Sequence, residues 1–71
     1  MLGRIKSVTT RKHHGFIISD DAPGTMFFFK PADVKTGRFD ELREGVEVDF
    51  VPSVGPRGDR ATSIFVNQHA R

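Results

Sequence analysis

Cysteine is absent from this 71-residue chain. Disulfide staples and thiolate zinc sites are therefore excluded, and the composition suits a reducing compartment, so a cytoplasmic location is expected. No long apolar run follows Met1-Leu2-Gly3-Arg4-Ile5-Lys6. Neither a secretory signal nor a membrane span is expected. Internal repeats, low-complexity tracts and linkers are missing too. Hydrophobic residues are scarce, at 37%, which still permits a small folded domain. The length suffices for one domain, residues 1–71, with little core to spare. No segment carries the period of an amphipathic helix.

What the chain does carry is strand patterning. Gly3 to Thr10 is rich in β-branched residues and reads as a first strand. His14 to Ser19 and Thr25 to Phe29 read as the second and third. Val46-Glu47-Val48-Asp49-Phe50 alternates apolar and acidic residues and predicts a fourth, with Val46, Val48 and Phe50 facing a core. Arg60 to Asn67 predicts a fifth, with Ile64 and Val66 inward. Asp20 to Gly24 and Gly55 to Asp59 are rich in turn residues, and Pro52 is expected at the end or edge of the fourth strand. Pro31 to Gly45 lacks alternation; Pro31–Val34 and Asp40–Arg43 are each short enough for one helical turn. Short strands with Gly/Pro turns predict an all-β fold, a small antiparallel barrel of five strands.

Charge is uneven along the chain. Seven cations and three anions lie up to Arg38, against four cations and six anions beyond it. The basic half is also the ring-bearing half. In a strand, alternate side chains share a face, so His14 and Phe16 point one way and Gly15 and Ile17 the other. On the third strand Phe27 and Phe29 share one face, Met26 and Phe28 the opposite one. The expectation is a hairpin that buries Ile17, Met26 and Phe28 and leaves His14, Phe16, Phe27 and Phe29 bare beside Lys12 and Lys30. Flat rings edged by cations suit an unpaired nucleic-acid strand, because bases stack on rings and phosphates seek positive charge. Lys6, Arg57 and Arg60 complete the set of cations placed to neutralise phosphate or stack by the guanidinium plane; the bland reading of any one of them is a solvated surface.

Three positions keep two readings. His14 either stacks on or hydrogen-bonds to a base, or is an exposed residue without a task. Phe39 either stacks on a base or plugs the long loop onto the barrel. Gly15 either admits a base or a neighbouring ring close to the backbone, or marks a strand bend. His13 and His14 diverge on their strand and His69 lies in the tail, so no metal site is expected, nor any other cofactor. No base or orienting acid is placed beside Ser7, and phosphate-loop, paired-carboxylate and metal-hydrolase patterns are missing. The chain is not expected to be an enzyme or to take a small-molecule substrate.

These residues together resemble the cold-shock domain, a five-stranded OB-fold that binds single-stranded RNA and DNA. Lys12-His13-His14-Gly15-Phe16-Ile17 resembles its motif K-G-F-G-F-I, and Met26-Phe27-Phe28-Phe29-Lys30 its V-F-V-H-F. Gly3-Arg4-Ile5-Lys6-Ser7-Val8 echoes the opening G-x-V-K-W-F, Phe39 to Gly45 the segment F-x-x-L-x-E-G, and Arg57-Gly58 the R-G before the last strand. The resemblance implies single-stranded RNA or DNA as partner, a nucleic-acid chaperone or a regulator of transcription or translation as role, and a monomer or weak dimer. Departures are Ser7 for the exposed Trp, His14 for a Phe, Phe29 for the His and Lys30 for the last Phe. Each ring lost removes a platform worth ~1–3 kcal/mol per base; binding weaker and less base-selective than is typical of the family is expected. The alternative is a barrel that kept the fold, lost much of its nucleic-acid affinity and binds protein.

Overall fold

Alternating apolar and polar residues fold into five strands in the computed structural model, which describes residues 1–9, 11–36, 39, 42–56 and 58–67. They are β1 (Leu2–Thr9), β2 (His14–Ser19), β3 (Ala22–Phe29), β4 (Glu47–Gly55) and β5 (Gly58–Val66). A 3₁₀ turn, Pro31–Asp33, follows β3. No helix among the described residues is long and apolar enough to cross a membrane. Arg57 and His69, and residues 40–41 of the second expected helical turn, lie outside the described residues.

The strands close into a barrel in the order β1-β2-β3-β5-β4. The pairs β1/β2, β2/β3, β4/β5 and β1/β4 are antiparallel. Five is an odd number, so strict up-down alternation around a closed ring must fail at one seam. That seam is β3/β5, a parallel contact with the register pair Phe28↔Arg60. Closure of the remaining ladder leaves few free edges. The end of the long loop joins the wall as well: Ile5 N–H donates to Val46 O at 2.9 Å and Gly45 N–H to Ile5 O at 2.8 Å.

The core is Ile5, Ile17, Phe27, Phe29, Leu42, Val48, Phe50, Ala61 and Ile64. Val48, Phe50 and Ile64 face inward as their alternation predicts, and Val46 and Val66 pack half-buried against them. Ser19 is the one buried polar side chain among the described residues; its Oγ donates to Leu2 O at 2.9 Å and accepts from Asp21 N–H at 3.1 Å, which satisfies it. Strand β4 runs through Pro52, which lies opposite Ala61 and is exposed. From Val51 to Val54 every side chain is exposed. The β4–β5 hairpin therefore projects past the barrel wall as an arm.

On β3 the faces are the reverse of the sequence expectation. Phe27 and Phe29, expected on the solvent side, are 5% and 0% exposed. Met26 and Phe28, expected inside, face out. The cause is register. A plain loop from Asp20 to Thr25 would pair Ser19 with Met26 and Ile17 with Phe28. In the structure Ser19 pairs with Ala22 across the Asp20–Asp21 turn, Pro23, Gly24 and Thr25 bulge from the ladder, and Ile17 pairs with Phe27. A shift of one residue moves every side chain of a strand to the other face. Ile17 is fully buried, so its cross-strand partner Phe27 is inside too, where it packs on Phe50 with ring centroids 5.1 Å apart.

Candidate nucleic-acid interface

Register places a row of outward side chains across four strands. Ser7 on β1 lies opposite Phe16 on β2, Phe16 opposite Phe28 on β3, and Phe28 opposite Arg60 on β5. One step along the strands, His14 joins the same face. The rings of His14, Phe16 and Phe28 touch one another: centroids are 5.9 Å apart for His14–Phe16, 5.5 Å for His14–Phe28 and 5.6 Å for Phe16–Phe28. All three side chains are half-buried, with the pairs tilted or edge-to-face, as aromatic quadrupoles favour. The guanidinium carbon of Arg60 lies 5.6 Å from the Phe28 centroid, over the ring, within cation–π range.

Beside this face is a cleft of about 600 Å³. Phe16, Phe28, Lys30, Pro56, Asp59 and Arg60 line it. Arg60 is held by Asp33, whose Oδ2 lies 3.2 Å from Nη2 and also accepts from the Lys30 N–H at 2.9 Å. Of the other expected cations, Lys6 is exposed where β1 bulges between Ile5 and Ser7, and Lys12 is exposed in the turn before β2.

Phe39 and Gly15 resolve toward the core. Phe39 packs edgewise on Phe29 at 6.0 Å and is half-buried against the core, apart from the outer ring cluster. Gly15 faces inward and lets the Phe29 ring come close to its backbone. The structure thus brings together His14, Phe16, Lys30 and Arg60 from the expected set and removes Phe27 and Phe29 from it. Phe28 replaces them. The signal that would have found it was the Pro23-Gly24 pair, which marks a bulge as well as a turn. Among the described residues no group of three or more His, Cys, Asp or Glu side chains converges.

The model of the 'Cold-shock' DNA-binding domain matches residues 1–67. The chain belongs to the cold-shock domain family. Among its relatives, the cold shock-like protein CspA of Bordetella pertussis is 34% identical over 64 residues, covering 90% of this chain and 94% of that protein. The cold shock protein of Arthrobacter globiformis is 34% identical over 62 residues, covering 87% and 91%. Cold-shock domains bind nucleic acid and are not enzymes.

In this cold-shock domain, burial of Phe27 and Phe29 leaves Phe28 as the outward ring of the segment, with Met26 and Lys30 exposed on either side of it along the chain. Ser7 stands opposite Phe16 without a ring.

Proposed function

We propose that this protein binds single-stranded RNA or DNA without catalysis, acting in the cytoplasm as a nucleic-acid chaperone or as a regulator of transcription or translation. Bases stack on Phe16 and Phe28, with His14 completing the platform. Lys30 and Arg60 beside the rings, with Lys6, Lys12 and Arg57, neutralise phosphate. The observation that carries this reading is the outward triangle of His14, Phe16 and Phe28 bordered by Lys30 and Arg60. Three touching rings left half-bare outside a barrel this small form an apolar patch of the kind that marks an interaction surface. Unpaired bases fit, since every base has a π-face and no donor–acceptor code is required for stacking.

The arrangement holds bases splayed on one strand, which disfavours hairpins in the bound nucleic acid. With no ring at Ser7, affinity falls below what a full platform gives, by about tenfold or more per lost stacked base. Titration of a fluorescently labelled single-stranded oligonucleotide, beside the duplex of the same sequence, tests the reading. Saturable binding to the single strand is expected. Binding to the duplex alone, or no binding at low salt even with millimolar protein, would end it.

A further inference from the structure

We propose that Arg60 is a stacking plane in its own right, and that the cleft between Phe28 and the β4–β5 arm holds one further nucleotide of the bound strand. This rests on the nucleic-acid reading above and extends its footprint. Three observations carry it. First, Arg60 continues the register row Ser7–Phe16–Phe28 onto β5, so its side chain stands where the next platform of that row would be. The row has no ring at its β1 end, where Ser7 stands, and gains a delocalised cationic plane at its β5 end. A guanidinium plane stacks on bases and on rings alike.

Second, the plane is built in. Asp33 fixes Nη2 at 3.2 Å, the Lys30 N–H fixes Asp33 at 2.9 Å, and the Asp33 side chain is only 17% exposed. The Nε atom of Arg60 is covered by protein with no acceptor, so the inner part of the group is packed rather than solvated. Its side chain is still 39% exposed. A group packed on its inner side and open on its outer side presents a surface at little further entropic cost, whereas a free surface arginine must be ordered first. Third, the space is there. The cleft of about 600 Å³ is lined by Phe16, Phe28 and Arg60 together with Lys30 and with Pro56 and Asp59 of the arm. A base enters over the guanidinium while its phosphate meets Lys30. Asp33 is the positioning residue of this subsite.

A length series of oligothymidylates, titrated at two salt concentrations, decides the matter. Arg60→Lys keeps the charge and removes the plane. It should lose about tenfold in affinity for the longer oligomers, keep the salt slope, and reach its plateau one nucleotide earlier than the wild type. Asp33→Glu keeps its charge but moves the carboxylate; it should fall toward the level of Arg60→Lys at unchanged slope, and the double variant should be no weaker than Arg60→Lys alone. Melting temperatures recorded alongside separate these effects from unfolding. If Arg60→Lys does not fold, Arg60→Met should show the same early plateau with a shallower slope. Wild-type affinity at every length in Arg60→Lys, or in Arg60→Met where that stands in, overturns the subsite while leaving the wider reading in place. Wild-type protein that binds neither oligothymidylates nor oligouridylates overturns both.

Discussion

The ring of Phe29 fills the volume that a side chain at Gly15 would need. A β-carbon on Gly15 would stand 2.6 Å from Cζ and 2.7 Å from Cε1 of Phe29, and 2.8 Å from the Ser7 carbonyl oxygen. Phe29 is fully buried and braced by Phe39, so the ring has no simple retreat. Glycine within a strand ordinarily weakens it, and alanine there gains about 0.5–1 kcal/mol. Here the sign should invert: Gly15→Ala is expected to cost ~1–3 kcal/mol through overpacking. Denaturant unfolding measures it, and a stabilised variant would show that Phe29 is not confined as described.

The two faces of β3 predict opposite phenotypes for neighbouring residues. Phe27→Ala and Phe29→Ala remove buried rings and should each cost ~3–5 kcal/mol of stability, a large part of what a domain this size possesses. Phe16→Ala and Phe28→Ala remove half-exposed rings. They should lower oligonucleotide affinity by about tenfold or more and shift the melting temperature modestly. Thermal melts and titrations on the four variants give the comparison. Strong loss of binding with normal stability in Phe29→Ala would reverse the face assignment.

Much of the barrel could be read from residue pattern because alternation is a local property. Val48, Phe50 and Ile64 face the core as their alternation predicts, since each strand's period fixes its own faces, and His14–Ser19 has the expected bounds. The phase between two strands is not local. It depends on how many residues leave the ladder at the turn, and Pro23, Gly24 and Thr25 leave it by bulging rather than by looping. That one count exchanged Phe27 and Phe29 for Phe28. Three consecutive phenylalanines offered no internal correction, because either phase buries a ring. Leu42 and Ser19 escaped for other reasons: one sits in a segment without periodicity, and the other is buried by hydrogen bonds rather than by hydrophobicity. The Arg60–Asp33 pair joins β5 to the turn after β3, a meeting that only barrel closure creates.

Salt dependence separates phosphate contacts from stacking. Lys30 and Arg60 border the ring face, and Lys12 lies in the turn that leads into β2. With about three phosphates neutralised, the log–log slope of affinity against salt should be near −2 for a single strand. Lys30→Gln should make the slope shallower by about 0.7, while Phe28→Ala should leave it unchanged. Fluorescence titration across a salt series provides both numbers. A slope near zero would mean that the cations are a solvated surface and nothing more.

Restoring a ring at Ser7 tests whether the row is the path of the bound strand. Ser7 is exposed and in register with Phe16, so an indole there would extend the platform of Phe16 and Phe28 onto β1. One added stacking surface is worth ~1–3 kcal/mol per base, and Ser7→Trp should raise affinity about five- to tenfold at the low end of that range. The salt slope should not change, since no charge is added. The chain has no other tryptophan, so quenching of the new indole on titration reports directly whether a base lies on it. Tighter binding with quenching is the expected pair of results. An indole that is neither quenched nor associated with a gain in affinity, in a protein that melts normally, would mean that the nucleic acid leaves the row at Phe16 and does not cross β1.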